Sequence, residues 1–485
     1  MNSLLRLLFL VCISSLVCLT GCFRHCYRAQ PYSLCQTDLG ANVQAAVEKG
    51  AVTEGELCPG AWWFFFEDPQ LDRLMEVSLA CHPDIHIADA RIRRACQEAM
   101  VARSTLFPHL FGVVDVQREK ISKLGEGFVP GLPVLFTQTT LKLASSMYEL
   151  DIWKKNRSIY YSALDLMQAK RAEYEEAKLL LTTALAGIYF DLQMKLSRKA
   201  VTEQRLAARK ELYALLKQQF DLGIISEFRL YEMDTAVQLL QDLIYVLEGE
   251  IAVDKHALAA LAGNVSCLCG VDGKLEVVPA AQFNTPFPLP ATLPIDLLAR
   301  RPDISARRWR VEAACFGIKT AQASFFPRID LLGWIGFQSI LIDKLFRGDT
   351  LIALGEGMAT LPLFLAGKLQ ADLGVAREDL EIAIESYNQA ILHAVQQVSD
   401  ALSDLHTATE RKKSIEIALQ DAEELLDLTR QKYENGVINK LTYLNALENE
   451  LVQKDLELQV QLSRFEAAVD LIRAIGGGYY DNCSP

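Results

Sequence analysis

Positive charge is in short supply. Lys and Arg number 49 against 61 Asp and Glu, a formal charge of −12, and no long basic block interrupts the chain. Nucleic-acid binding needs a basic face, so composition argues against such a partner. Catalytic constellations are missing as well. His82 and His86 stand four apart, but Pro83 occupies the position where a zinc helix carries Glu, and the pair sits at a helix start. Gly125 and Gly127 open no phosphate-binding helix, and no Ser/His/Asp or Cys/His arrangement stands out. The expectation is therefore no enzyme, no cofactor and no metal site.

Proline and glycine are also absent over long stretches. From Asn156 to Leu222 there is no proline and a single glycine, Gly187; from Leu369 to Asn435 there is again no proline and only Gly374. An interior proline costs about 3 kcal/mol in a helix, so each stretch reads as one helix. At 1.5 Å per residue each would run about 100 Å. Past the N-terminus no apolar run reaches the ~20 residues of a membrane-spanning helix, so any further crossing must use strands.

The N-terminus reads MNSLLRLLFLVCISSLVCLTGC, with Arg6 as the only charge before an apolar run. This reads as a lipoprotein signal peptide over residues 1–21, with an N-terminal membrane anchor helix as the alternative. Leu19-Thr20-Gly21-Cys22 looks like the bacterial lipobox, with Cys22 taking the lipid. Phe23 follows where an Asp would favour inner-membrane retention, which points to the outer membrane. Nine cysteines remain beyond Cys22, an odd number that fits no complete pairing.

What is present is a duplication. "HPDIHIADARIRRACQEAMVARSTLFPHLF" from His82 and "RPDISARRWRVEAACFGIKTAQASFFPRID" from Arg301 share Pro-Asp-Ile and Phe-Pro at a constant offset of 219. Each is followed by a Gly-, Thr- and Val-rich stretch with partial two-residue alternation, which offers about two strands of bilayer-crossing length, or a surface hairpin. The offset then becomes 213 and holds through the long helices and beyond. Gly223 aligns with Gly436 as a left-handed C-cap, Ser226 and Asn439 are placed to cap the returning helices, and Gly263 aligns with Gly476. The seam Leu369, Leu373, Ala376, Leu380, Ile384, Tyr387, Ile391, Ala394, Val398, Ala401, Leu405 steps by fours and threes, the pattern of a helix packed beside partners. The two shorter helices of each half, laid end to end, have the length to flank the long one. The domain reading is signal 1–21, an N-terminal extended segment 22–82, a first repeat 83–270, a Pro-rich connector 271–301, a second repeat 302–478 and a tail 479–485.

The chain resembles the TolC-like outer-membrane factors, most of all their lipoprotein branch associated with resistance-nodulation-division pumps. The matching text is WWFFFEDPQLDRL, YELDIWKK at 148–155, RRPDI at 300–304 followed by FFPRIDLLG, and YENGVINKLTYLNALE with LIRAIGGGYY at the end. It covers nearly all of the mature chain in order. Two departures stand out. The Gly-Lys usual after LDIW is Lys154-Lys155, and Pro-Phe-x-x-Gly appears as Pro362-Leu363-Phe364-Leu365-Ala366-Gly367.

The resemblance implies a mainly α fold with a small β part, assembled as a homotrimer with a helical barrel joined to a twelve-stranded transmembrane barrel. It implies a passive conduit in the outer membrane, with most of the chain in the periplasm, a periplasmic adaptor and an inner-membrane efflux pump as partners. The gate would lie at the hairpin ends. Asn445 stands nine residues after Gly436 where the family often carries Asp, and Thr442 stands six after it. Arg229 and Glu232 take the equivalent places in the first hairpin, and Tyr433 resembles a family tyrosine that ties neighbouring hairpins. Gly223, Ser226, Gly436 and Asn439 mark the turns where an adaptor would dock.

Overall fold

A computed structural model describes residues 61–122, 134–263 and 301–479, with Leu124, Pro130, Val52–Glu54 and Phe287–Leu289. The order is β1 (Val52–Glu54), α1 (Pro69–Cys81), α2 (Pro83–Ser104), β2 (Leu110–Lys120), β3 (Leu135–Ser145), β4 (Tyr148–Glu149), α3 (Lys155–Asp221), α4 (Glu227–Leu261), β5 (Phe287–Leu289), α5 (Pro302–Ala323), β6 (Arg328–Ser339), β7 (Leu351–Thr360), α6 (Lys368–Glu434) and α7 (Lys440–Ile475). The fold is mainly α with a small β part. The long helices α3 and α6 have 67 residues each, and both begin one residue before the Pro-free stretches used to expect them.

Each long helix is flanked by two shorter ones, as their lengths require. α2 and α4 lie along α3, and α5 and α7 lie along α6. α5 and α7 also pack on α3, so the two halves meet there. The buried positions of α6 follow its seam from Ile391 through Ala394, Val398 and Ala401 to Leu405, while Leu369 to Tyr387 are only half-buried. α3 contains a window apolar enough to cross a membrane, but more than half of it is buried against neighbouring helices.

The Pro-Asp-Ile motif forms the joint between the stacked short helices. At the first joint Gly263, with φ +73°, lies so close to Cys81 that a Cβ would fall 2.7 Å from its carbonyl. Ser78 Oγ donates to the Leu261 carbonyl at 2.6 Å, satisfying the end of α4. At the second joint Gly476, with φ +90°, abuts Arg301. Buried Arg301 donates to the Ala474 carbonyl at 2.8 Å and pairs with Asp303 through two 3.0 Å bonds.

The other shared motifs also act as ties. Tyr148 OH donates to the Leu106 carbonyl at 3.0 Å, Trp153 Nε1 donates to the Pro327 carbonyl at 2.8 Å, and the Trp153 ring stacks on Phe326. Both Phe-Pro corners, where helix gives way to strand, are thus held from one segment. Asp151 accepts from the Asn156 and Arg157 amides and so caps α3. In the aromatic run near the start, Phe66 packs on Phe190, which stacks on Phe465 of α7 at 4.4 Å. Asp68 caps α1 and accepts from the Tyr189 hydroxyl at 2.6 Å. Burial, then the Asp68 carboxylate, push that hydroxyl well above the usual phenol range.

One segment departs from expectation. Residues 22–82, read as extended, include helix α1, because Asp68 at the N-cap and Pro69 at the first helical position start a helix that buries Leu71, Leu74 and Met75. Of the 271–301 connector, the described part is β5, which pairs in parallel with β1, and Arg301. Gly125 and Gly127 lie outside the described residues.

The two β-hairpins form one sheet. β2 pairs with β3, β3 and β4 both pair with β6, and β6 pairs with β7, all antiparallel. β2 and β7 are the edges.

The departure at Lys154 has a backbone cost. Lys154 holds φ +59°, and its counterpart in the second half, 213 residues on, is Gly367 at φ +83°. A side chain in the left-handed region costs roughly 1–2 kcal/mol. Lys154→Gly is therefore expected to stabilise the protein by about 1 kcal/mol, seen as a higher unfolding midpoint in urea. A lower midpoint would show that the lysine side chain makes a compensating contact.

Candidate functional site

The hairpin ends are built from one backbone device used twice. In the first, the Gly223 amide donates to the Phe220 carbonyl and the Ile224 amide to that of Gln219; in the second, Gly436 donates to Tyr433 and Val437 to Lys432. This Schellman pattern needs the left-handed conformation that Gly223 (φ +73°) and Gly436 (φ +72°) supply. The caps of the returning helices differ. Asn439 Oδ1 accepts from the Thr442 amide at 3.0 Å and from its hydroxyl at 2.8 Å. Ser226 sits at the N-cap of α4 but its hydroxyl makes no capping bond, contrary to the expectation.

The two ends pack on each other. Leu212 and Leu216 of α3 form an apolar cluster with Leu444 of α7, against which Ile225, Met233 and Leu441 are laid. Tyr433 stacks on Tyr443 with ring centroids 5.5 Å apart and planes 12° from parallel. Lys440 pairs with Glu211. The hydrogen bond from Lys440 to Glu211 holds the ammonium above the ordinary lysine value. Asn445, Thr442, Arg229 and Glu232 are exposed. Cys22 lies outside the described residues.

Above the turns, charged pairs join α3 to its neighbours. Glu448 of α7 is buried and takes Arg205 at 3.2 Å and Arg209 at 3.5 Å. Seven residues along each helix, Arg198 meets Asp455 at 2.8 Å. On the other flank Lys195 reaches Asp254 and Lys199 reaches Glu248 of α4, both at 2.8 Å. None of these pairs was foreseen, because a carboxylate on a helix reads as solvated until its partner is known.

The sheet has two unlike faces. Directly opposed residues share a face in an antiparallel pair, so the register puts Leu110, Val114, Val116, Leu141, Leu143, Ile335 and Phe337 together on one. Five of these, Leu110, Val114, Val116, Leu143 and Ile335, are at least half exposed. The other face carries Asp115, Gln117, Glu119, Gln138, Lys142, Asp330 and Glu356. Lys142 lies over the Trp334 ring at 5.3 Å. The first face also carries Arg118 and Lys120 at its loop end, and the second Phe111, Leu354 and Met358, so the sheet is mainly apolar on one side and mixed on the other, the alternation of strands set between lipid and water.

A family model for outer membrane efflux protein matches residues 74–264 and 293–477. The chain belongs to the outer membrane efflux protein family. The putative multidrug resistance outer membrane protein MdtQ of Escherichia coli (strain K12) is 27% identical over 478 residues, 97% of this chain and 98% of that protein. The probable efflux pump outer membrane protein TtgC of Pseudomonas putida is 27% identical over 424 residues, 87% and 85% of the two chains. Among solved structures, the outer-membrane channel OprN superposes with a TM-score of 0.77 at 25% identity, covering 90% of this chain and 96% of its own. The outer membrane protein VceC of Vibrio cholerae gives 0.74 at 27% identity, covering 87% and 100%. As an outer membrane efflux protein, this chain is a channel component and not an enzyme.

Proposed function

We propose that three copies of this chain form one passive conduit, the outer-membrane part of a tripartite efflux system completed by a periplasmic adaptor and an inner-membrane pump. The observation that carries this reading is the sheet, with its one apolar face and two edges, β2 and β7, that pair with no further strand among the described residues. In lipid each unpaired backbone group costs several kcal/mol, so the edges must be closed by another copy. Barrels begin at eight strands, which one chain cannot supply; three copies give the twelve that the family resemblance implies. The relatives' names, multidrug resistance for MdtQ and efflux pump for TtgC, support small molecules as cargo. A lipid on Cys22 would anchor the barrel's rim to the membrane.

The helical hairpins hold the periplasmic end shut until an adaptor docks at the turns around Gly223, Ser226, Gly436 and Asn439. Three copies would place Asn445 and Thr442 in a polar, uncharged ring. Tyr433, already stacked on Tyr443, would be tied to a neighbouring hairpin through Arg229 or Glu232.

Electron microscopy of detergent-extracted protein tests the assembly. A threefold hollow particle with a tube of about 100 Å, the length of α3, is expected. Isolated rods or compact monomers would move the reading to a periplasmic scaffold. The gate is tested by Tyr433→Phe combined with Arg229→Ser, expected to raise single-channel conductance severalfold. Unchanged conductance in assembled particles would remove these residues from the gate.

A further inference from the structure

The apolar face of the sheet carries little charge, and what it carries is of one sign and in one place. Its β2 positions are Leu110, Gly112, Val114, Val116, Arg118 and Lys120, and no charged residue stands on it at any paired position of β3, β6 or β7. Arg118 and Lys120 are exposed, while the carboxylates nearest them in sequence, Asp115 and Glu119, alternate to the other face. Arg118 lies eight residues along the strand from Leu110, about 26 Å, or about 20 Å of membrane depth at a tilt of about 40°. A cation on a lipid-facing strand is costly at the bilayer midplane and close to neutral at the interface. The two cations thus stand where the apolar band ends, toward the hairpin turns and away from the helices. The β6–β7 turn adds apolar surface on the same side, because Phe346 rests on Phe337 with ring centroids 5.7 Å apart. It adds no net charge, with Lys344 and Arg347 against Asp343 and Asp349.

We propose that Arg118 and Lys120 form a binding site for the phosphate of an anionic lipid in the outer leaflet, whose acyl chains run along Val114, Val116 and Leu141. This rests on the membrane-spanning reading above and adds which lipid the barrel selects. Two residues on one face of a strand stand about 7 Å apart, a span that one phosphate bridges. Arg118 supplies the planar fork that takes two phosphate oxygens, and Lys120 adds a mobile point charge. Thr137, exposed and directly opposite Arg118, offers a hydroxyl that can donate to the same group. With no carboxylate on the face to neutralise them, the two cations favour a headgroup with net negative charge over a zwitterionic one.

The test uses full-length protein carrying Val116→Trp, a position 61% exposed beside Arg118. It is reconstituted in phosphatidylcholine vesicles holding a minor fraction of acyl-brominated phosphatidylcholine or acyl-brominated phosphatidic acid. Bromine quenches only the indoles it touches, so the added fluorescence reports which lipid occupies the site. At equal mole fraction the phosphatidic acid is expected to quench severalfold more effectively, and Arg118→Gln with Lys120→Gln to remove the difference. Lys142→Gln, on the other face, should preserve it. Inorganic phosphate at matched ionic strength should not displace the lipid; displacement would make the ligand the free anion and overturn the proposal. Equal quenching by the two lipids in the Val116→Trp protein overturns it without any charge variant and leaves the membrane reading standing. So does a preference that survives the double substitution. Quenching by neither lipid takes this face out of the bilayer, and both readings fall.

Discussion

Gly336→Ala is expected to leave almost no assembled protein in the outer membrane. Gly336 lies in β6 opposite Lys142 of β3, within the run of six residue pairs that joins the two hairpins into one sheet. A Cβ there would stand 2.2 Å from the Leu141 carbonyl oxygen and 2.5 Å from the Lys142 Cα. Both obstacles are backbone, so neither can rotate away. Relief requires β3 and β6 to part, which exposes amide and carbonyl groups to lipid at several kcal/mol each. A net cost of about 3 kcal/mol would already lower the assembled fraction by more than about a hundredfold at equilibrium. Gly355→Ala in β7 is the control, since a Cβ there meets nothing within 4 Å. The readout is the heat-modifiable folded band in outer-membrane fractions. Normal amounts of Gly336→Ala in that band would mean that the strands tolerate a wider separation than their register suggests.

The second large effect is expected at the joint of the second half. Arg301 is buried, and it holds the Ala474 carbonyl, the Gln397 side chain at 2.9 Å and both oxygens of Asp303. Arg301→Met fills similar space but leaves Asp303 with only Arg307, at 3.8 Å, and the Ala474 carbonyl in the last turn of α7 without its side-chain donor. Breaking a buried, hydrogen-bonded ion pair from one side costs about 3–5 kcal/mol. The midpoint of urea unfolding in detergent should fall accordingly. Arg301→Lys should recover only part of the loss, because an ammonium has three donors for four acceptors and lacks the planar fork that takes both oxygens of Asp303. A midpoint within about 0.5 kcal/mol of the parent for Arg301→Met would show that the joint is held by Gly476 and Pro302 packing alone. At the first joint, where His82 replaces the arginine, the bond from Ser78 to the Leu261 carbonyl takes over part of this role.

The features legible in the sequence were those written in local backbone chemistry. The limits of α3 and α6 followed from missing proline, and the turns from Gly223 and Gly436, because a left-handed residue declares itself within its own turn. The strand hairpins followed from texture and from Phe-Pro corners. Helix α1 was also legible, since Asp68-Pro69 is a start signal. What stayed hidden depends on distance along the chain. Arg205 meets Glu448 across 243 positions and Arg198 meets Asp455 across 257, and nothing local marks those carboxylates as buried. Ser226 and Asn439 occupy equivalent N-caps, yet only the asparagine reaches an amide; the residue type allowed both, and rotamer and turn geometry decided.

The ion pairs along α3 also separate ancestry from mechanics. A copied stretch of sequence runs from one Pro-Asp-Ile to the next, so by descent α3 belongs with α4, and α6 with α7. By attachment the grouping differs: α3 is fastened to α4 on one flank and to α7, an element of the other copy, on the second. α6 and α7 also lie along each other, with Lys454 paired to Glu423 at 4.0 Å. The fastening thus runs across the boundary between the inherited modules as well as within them. Two tandem halves of a gene have become one body stitched together along α3.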